Sequence, residues 1–255
     1  MLKRANYLGI YMKKTIQKIL RLFGYDIRAR HFLQSHEVRR VKFLKEHNIS
    51  LVLDIGANEG QYAQSIRQEG YKNYIISFEP IQDIFNSLNR KTQVDSRWNV
   101  MNIAIGDFDG YAEINISSFS QVSSILSATG LAGTDYWKGQ HKQKVQVRQL
   151  DSLIDEINVH NHRIFLKIDT QGFESKVLKG CQNLLKKHVI LIEIELSIRE
   201  FYSDEKLLPD MYMHIRDMGF ELISMAPVHV DSTRGYVLQY DCIFIARSIL
   251  DLDNK

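Results

Sequence analysis

The stretch LVLDIGANEG, residues 51–60, is the most informative part of this sequence for the class of fold. Three apolar residues lead into Asp54, and two glycines, Gly56 and Gly60, follow with three residues between them. A short apolar run that ends in a glycine-rich turn is typical of a buried strand followed by a helix. Glycine permits tight turning and close approach of the backbone, so a side chain at either glycine is expected to obstruct a ligand.

Further apolar runs follow at short intervals and alternate with helical stretches. The predicted strands are 51–56, 73–80, 98–107, 163–170, 188–196, 220–225 and 240–247. The predicted helices among them are about 60–70, 81–90, 174–186 and 205–218. This alternation predicts a doubly wound, mostly parallel α/β sheet, in which the last two strands form an antiparallel pair.

Two β-like segments, 111–117 and 144–150, interrupt this alternation. The stretch between them, 118–143, is rich in Ser, Gly and Thr and lacks a clear period, so we expect a flexible loop over one edge of the sheet. Polar residues of this loop and of the C-terminal region are weak candidates for acceptor contacts, because most such side chains are merely solvated. They are Ser123, Ser124, His141, Tyr202 and His229.

Length and composition restrict the class of protein. The chain has 255 residues, enough for one sizeable α/β domain with an extension. It has no apolar run near the roughly 18 residues of a membrane span and no signal-peptide pattern, so a cytoplasmic protein is expected. Cys181 and Cys242 belong to no CxxC motif or Cys/His cluster, which suits a reducing compartment and argues against zinc.

The N-terminal segment is strongly basic. Residues 1–46 contain twelve Lys or Arg and three acids, and 7–23 has apolar residues at helical spacing. A second helix is predicted at about 31–47. We therefore expect a basic helical extension over 1–49 and the main domain over 50–255. Residues 1–24 are a candidate for peripheral contact with the inner face of the membrane, and the alternative is packing on the domain. Nucleic acid is not expected, because the apolar stripe has no role in binding it.

The residues around the first turn indicate a nucleoside ligand. In the dinucleotide fingerprint GxGxxG the second glycine lets a pyrophosphate approach, but Asn58 occupies that position here. The carboxylate of Asp54 suits a cationic or N–H-donating ligand, and Glu79, at the end of the second strand, is placed to accept ribose hydroxyls. S-adenosylmethionine has these groups and no phosphate. The alternatives are a nicotinamide-dependent oxidoreductase and a non-catalytic scaffold.

Several motifs together resemble the FkbM family of class I S-adenosylmethionine-dependent O-methyltransferases, over about residues 50–247. They are LDIGANEGQYA (53–63), FEP (78–80), NIAIGDFDG (102–110), SS (123–124), LDSL (150–153) and FLKIDTQGFESKVLKG (165–180). The resemblance implies a seven-stranded, Rossmann-like sheet and transfer of a methyl group to a hydroxyl. The implied acceptor is a small molecule or a sugar of a bacterial glycan or glycan-lipid.

The resemblance also implies the cofactor-binding residues. The methionine part would be held by Asp54, Gly56, Ala57, Asn58 and Gly60. Glu79 would hold the ribose, and a turn at Ala104 and Ile105 would flank the adenine.

Carboxylates at two later strand ends are the candidates for catalysis. If the strands carrying Asp169 and Glu195 are neighbours, these two side chains share the carboxyl edge of the sheet, where one serves as general base or both hold Mg²⁺. Glu174 is a further candidate, with capping of the next helix as its alternative. Inside the sheet, Lys167 is expected to pair with Glu193 as a structural ion pair.

Overall fold

The structure is a computed structural model that describes residues 20, 35–117, 120–130 and 141–253, with side chains up to residue 250. The predicted helix at 7–23 and the predicted membrane contact through 1–24 lie, apart from Leu20, outside the described residues. The chain divides between Arg39 and Arg40 into two units, and the two sheets and the candidate site belong to the second, residues 40–255.

The described elements alternate between helices and strands along the chain. The helices are α1 His36–Glu46, α2 Gln61–Gln68, α3 Gln82–Thr92, α4 Leu150–Leu153, α5 Glu174–Lys179, α6 Gln182–Lys187, α7 Leu208–Asp217 and α8 Arg247–Asp253. The strands are β1 Leu51–Ile55, β2 Tyr74–Phe78, β3 Trp98–Met101, β4 Ala104–Ile105, β5 Gly110–Ile116, β6 His141–Arg148, β7 Ile164–Ile168, β8 Val189–Ser197, β9 Phe220–Val230 and β10 Val237–Ala246. In the described ranges, no helix combines the length and apolar character needed to cross a membrane.

Seven strands form the main sheet in the order β3-β2-β1-β7-β8-β10-β9. In this sheet β3, β2, β1, β7 and β8 run parallel to one another. Strand β10 runs antiparallel to both β8 and β9. The predicted doubly wound, mostly parallel seven-stranded sheet and its antiparallel final pair are therefore confirmed. The strand order reverses between β1 and β7, and ligands of open α/β sheets bind at such a switch point, beyond the carboxyl ends of the strands.

The two central strands are buried on both faces, which explains their continuous apolar runs. Leu53 and Leu166 point to one core, where they meet side chains from α4 to α7. Val52 and Phe165 point to the other, where they meet side chains from α1, α2 and α3. Helices thus cover both faces, so ligands can approach the strands only from their ends.

A second sheet, in the order β4-β6-β5, departs from the sequence prediction. The expected strand at 98–107 is two strands, β3 in the main sheet and β4 in this one, so Ala104 and Ile105 lie in a short strand rather than a turn. The break falls at Asn102, whose amide donates to the carbonyls of Glu79 and Pro80 at 2.9 and 3.1 Å. These bonds tie the start of the small sheet to the end of β2.

Two parts of the predicted loop 118–143 are described: residues 141–143 begin β6, and residues 120–130 pack against the domain. The segment 120–130 begins with a short 3-10 helix, Ser120–Val122. Two of its residues form isolated antiparallel β-bridges, Ser124 with Asn115 and Ala128 with Tyr202. Backbone and side-chain hydrogen bonds hold 120–130 to the chain around the carboxyl edge of the main sheet, so this segment lies over an edge, as expected, and its flexibility stays a prediction.

Candidate active site

The glycine-rich turn after β1 is shaped by contacts within the protein. Gly56 and Gly60 have φ values of 79° and 82°, which side chains rarely adopt. A Cβ at Gly56 would lie 1.8 Å from the carbonyl oxygen of Asp169, and one at Gly60 would lie 2.6 Å from Leu88 and 2.9 Å from Trp98. The expectation that side chains here would obstruct a ligand needs correction, because they would first collide with the protein's own backbone and core.

Glu79 joins the end of β2 to this turn. Its two carboxylate oxygens accept the backbone N–H groups of Asn58 and Ile81, each at 2.8 Å. Asn58 has a φ of 48°, in the left-handed region that asparagine tolerates, and its amide lies 3.1 Å from the hydroxyl of Ser120. Burial raises the pKa of Glu79 to about 7, although the two N–H donors oppose the shift. The buried carboxylate is thus placed at the turn and can change charge near neutral pH.

Asp54 is buried at the end of β1, where the hydroxyl of Ser77 donates to its carboxylate at 2.8 Å. The indole N–H of Trp98 in turn donates to the hydroxyl of Ser77 at 3.0 Å. Burial raises the pKa of Asp54 to about 6, while the Ser77 hydrogen bond and the charge of Lys167 act in the opposite direction. Ser77 and Trp98 were not identified from the sequence, since nothing in their spacing signals a contact across three strands.

The other predicted cofactor residues lie near this turn or in the small sheet. Ala57 is buried within the turn itself. Ala104 and Ile105 are buried in β4, where they pair with Val147 and Arg148 of β6. Ile105 belongs to the main core and Ala104 to the apolar cluster of the small sheet. Their role beside an adenine ring stays a prediction.

Asp169 follows β7 and lies directly beside the glycine-rich turn. Its backbone N–H donates to the carbonyl of Ile55 at 3.0 Å. Its side chain is 35% exposed, and one carboxylate oxygen lies 3.2 Å from the ammonium of Lys167. The pKa of Lys167 is raised above its ordinary value because the surrounding carboxylates, Asp169 first, outweigh the opposing effect of burial.

The expected ion pair between Lys167 and Glu193 differs in the structure. These residues are neighbours in register across β7 and β8, but Lys167 forms its ion pair with Asp169. The Glu193 carboxylate accepts from the guanidinium of Arg40 at 3.3 Å and from the hydroxyl of Tyr62 at 2.7 Å. Arg40 on α1 and Tyr62 on α2 reach Glu193 from the helices that cover this face of the sheet, a contact that the strand pattern does not reveal.

Glu195 lies two residues further along β8 and is linked to Asp169 through Gln171. The amide nitrogen of Gln171 donates to Asp169 at 2.9 Å and to Glu195 at 3.3 Å. The amide of Gln239 on β10 also donates to Glu195, at 2.9 Å. The pKa of Glu195 is raised well above its ordinary range, first by burial and then by the charge of Asp169. The structure therefore brings Asp169 and Glu195 to one edge, as the sequence predicts, and adds two glutamines that the sequence reasoning did not identify.

Glu174 is the first residue of α5, and its carboxylate folds back onto the preceding turn. It accepts from the backbone N–H and the hydroxyl of Thr170 at 2.8 and 3.0 Å, and from the N–H of Gly172 at 3.3 Å. Burial raises the pKa of Glu174 to about 7. The donors lie in the turn before α5, and the N-cap residue Phe173 makes no side-chain cap hydrogen bond, so Glu174 braces this turn. Capping of the helix and a catalytic role for Glu174 both stay predictions.

The weaker candidates from the loop and from the C-terminal region divide into buried and exposed residues. Ser124 and Tyr202 are buried beside the site: the Ser124 hydroxyl donates to the carbonyl of Gln171 at 2.6 Å, and the Tyr202 hydroxyl lies 2.9 Å from the side-chain oxygen of Gln171. Ser123 is also buried, and its hydroxyl accepts from the N–H of Ser117. His141 is exposed at the start of β6, and His229 packs against the ring of Phe201.

The donor set around Asp169 and Glu195 does not fit the Mg²⁺ alternative. An ammonium group faces one oxygen of Asp169, and two amide N–H donors face one oxygen of Glu195. These groups occupy the directions that a cation would use, and Lys167 would repel it. The arrangement is that of hydrogen-bonded and ion-paired carboxylates rather than of a Mg²⁺ site.

A doubly wound sheet with a glycine-rich turn, a carboxylate at the end of the second strand and a polar group after β7 defines a Rossmann-like α/β protein with a candidate nucleoside site at the switch point. A family model described as the methyltransferase FkbM domain matches residues 54–222. The chain belongs to the FkbM methyltransferase family.

Individual proteins are similar to the chain at lower levels. The 2-O-methyltransferase NoeI of Sinorhizobium fredii is 26% identical over 238 residues, which is 88% of this chain and 95% of that protein. Magnesium protoporphyrin IX methyltransferase of Synechocystis PCC 6803, solved with bound S-adenosylmethionine, is 12% identical with a TM-score of 0.45, over 87% of this chain and 86% of that chain. A methyltransferase from Listeria monocytogenes is 9% identical with a TM-score of 0.46, over 82% and 97%.

Proposed function

We propose that this methyltransferase uses S-adenosylmethionine to methylate a hydroxyl group, and that the acceptor is a sugar of a bacterial glycan or glycan-lipid. The observation that carries the proposal is the contact between Glu79 and Asn58, which places a buried carboxylate against the glycine-rich turn at the switch point of the sheet. Membership of the FkbM methyltransferase family supports transfer of a methyl group. The name of the relative NoeI, a 2-O-methyltransferase, supports oxygen as the acceptor atom.

The residues of the turn fit the cofactor by their chemistry. When bound, S-adenosylmethionine supplies a methyl group activated by its positively charged sulfur. The acidic side chains of Asp54 and Glu79 suit the ammonium and the ribose hydroxyls of such a ligand, because a carboxylate accepts hydrogen bonds from both. Asn58 occupies the position of the second glycine in the dinucleotide fingerprint GxGxxG. This departure disfavours the nicotinamide alternative.

Asp169 is the residue we propose as general base. Its side chain is partly exposed beside the turn, so an acceptor hydroxyl can reach it and lose its proton to the carboxylate as the oxygen attacks. Lys167 holds that carboxylate from the side that faces the core. The partly exposed carboxylate of Asp169 can accept from a hydroxyl of a neutral acceptor, whereas the amides of Gln171 and Gln239 already donate to the carboxylates of the site.

The test has a binding part and a transfer part. Calorimetric titration with S-adenosylhomocysteine should give binding, and titration with NAD should not. Transfer of a radiolabelled methyl group should then be measured on pairs of glycosides that differ only by the presence of the 2-hydroxyl. Methylation of the hydroxylated member alone supports the proposal. Binding of NAD alone would overturn it, and cofactor binding without any transfer would favour the scaffold alternative.

A further inference from the structure

We propose that Gln171 is a positioning residue, whose amide holds Asp169 and Glu195 in the arrangement needed for methyl transfer. This inference rests on the proposed function, because it concerns the same site. Its evidence is the contact of one side-chain nitrogen with both carboxylates. A primary amide has two N–H donors, so Gln171 can serve both acceptors at once.

The orientation of the amide follows from its surroundings. Two carboxylates on one side call for the N–H₂ group, since a carbonyl oxygen facing them would be repelled. On the other side the hydroxyl of Tyr202 lies 2.9 Å from the amide oxygen and can donate to it. The same hydroxyl lies 2.9 Å from the carbonyl of Val122, in the short helix of the 120–130 segment. Gln171 is therefore held between the carboxylates and a buried phenol.

The backbone of Gln171 is held as firmly as its side chain. Its φ is 55°, a left-handed value that costs energy for a residue other than glycine. Its carbonyl accepts the hydroxyl of Ser124 at 2.6 Å, and the next residue, Gly172, has a φ of 96°. A Cβ at Gly172 would lie 2.9 Å from the Cβ of Tyr202, so the turn is closely packed against that residue. Contacts from two separate segments thus fix a strained conformation whose result is to present the amide to the carboxylates.

Other charged and titratable groups face the same carboxylates from the neighbouring elements. They are Lys167 on β7, Glu174 on α5, Asp241 on β10 and Tyr202. Lys167 contacts Asp169, whereas Gln171 contacts Asp169 and Glu195 together. Because a displacement of about 1 Å can lower a reaction rate about 100-fold, loss of this link should act on turnover.

The decisive variant is Gln171→Glu, which preserves the shape of the side chain and the acceptor for Tyr202 but removes both N–H donors. We expect kcat to fall about 10- to 100-fold while the affinity for S-adenosylhomocysteine changes less than about threefold. In Gln171→Asn the side chain tolerates the left-handed backbone but is one methylene shorter. The amide should then fail to reach both carboxylates, so kcat should also stay below the wild-type value. Gln182→Glu, at an exposed glutamine on α6, is the matched control and should retain kcat.

Tyr202→Phe tests whether the phenol acts through Gln171. If it does, adding this change to Gln171→Glu should reduce kcat no further, whereas independent roles would multiply the two losses. Retention of kcat in Gln171→Glu, or a matching loss in Gln182→Glu, would overturn the proposal.

A crystal structure of Gln171→Glu supplies a readout independent of activity. The carboxylates of Asp169 and Glu195 should move from their wild-type positions, and unchanged positions would overturn the proposal. If the wild-type protein transfers no methyl group, the proposed function fails, but this comparison still tests the role of Gln171.

Discussion

The carboxylate of Glu79 accepts the backbone N–H of Asn58 at 2.8 Å, so the glycine-rich turn and the end of the second strand form one structural unit. The same carboxylate is 4% exposed and its pKa is raised by burial to about 7. A ligand whose hydroxyls donate to Glu79 binds better to the ionised form. If Glu79 binds the ribose as proposed, we expect the affinity for the cofactor to depend on the charge of this buried group.

This contact predicts how cofactor affinity changes with pH. Below about pH 7 Glu79 is mostly protonated, so the Kd for S-adenosylhomocysteine should decrease as the pH rises from 6 to 8 and then level off. Calorimetric titration across this range measures the change. Glu79→Gln cannot ionise and should leave only the dependence centred near pH 6 that Asp54 contributes. A wild-type Kd that stays constant between pH 6 and 8 would contradict the assignment.

The structure predicts different costs for two glycine substitutions. Gly56→Ala combines a φ of 79° with a Cβ 1.8 Å from the carbonyl of Asp169, and it should lower the free energy of unfolding by at least about 3 kcal/mol. Gly70→Ala has a φ of 100° but no atom within 4 Å of its Cβ, so only the backbone cost of about 1–2 kcal/mol applies. Urea unfolding of both variants measures the difference. Equal losses would show that the contact with Asp169 relaxes freely.

The sequence predicts the main sheet well because its central strands, β1 and β7, are short apolar runs buried on both faces. It does not predict the division between β3 and β4, since both halves are apolar and the break depends on bonds from Asn102 to the end of β2. Asp169 and Glu195 were predictable as neighbours from the strand order. Gln171 was not, because its amide is held by Tyr202, 31 residues further along the chain, and such a contact has no local pattern.

The buried contact between Tyr62 and Glu193 should contribute to stability. The Tyr62 hydroxyl donates to this fully buried carboxylate at 2.7 Å, so Tyr62→Phe should lower the free energy of unfolding by about 1–3 kcal/mol. Tyr74→Phe is the matched control, because the Tyr74 side chain is half exposed on β2, and its effect should stay within about 0.5 kcal/mol. If thermal unfolding shows the same stability for both variants, the contact is energetically neutral.

The basic N-terminal segment gives a prediction about membrane contact. We propose that residues 1–24 bind anionic lipid, because each Lys or Arg near such a surface contributes about 1 kcal/mol. The full-length protein should sediment with liposomes that contain phosphatidylglycerol and remain in solution with neutral liposomes. A form lacking residues 1–24 should remain in solution with both. If neither form sediments with anionic liposomes at low salt, the proposal fails.

Asp169 and Glu79 should have separable effects on the reaction. Asp169→Asn removes the proposed general base without a large change in shape, so kcat should fall about 100-fold or more while the Kd for S-adenosylhomocysteine changes less than about threefold. Glu79→Gln should weaken cofactor binding about tenfold or more and affect kcat less once the cofactor is saturating.

Steady-state kinetics with the acceptor identified in the transfer screen, combined with calorimetry, measure both quantities. Thermal unfolding serves as the control, because Asp169→Asn also removes the ion pair with Lys167 at 3.2 Å and could act through the fold. A loss of kcat that follows the loss of stability, or similar small effects of both variants, would contradict these roles. A preserved melting temperature with a loss confined to kcat would assign Asp169 to the chemical step, since a group needed only in the transition state lowers turnover without weakening cofactor binding.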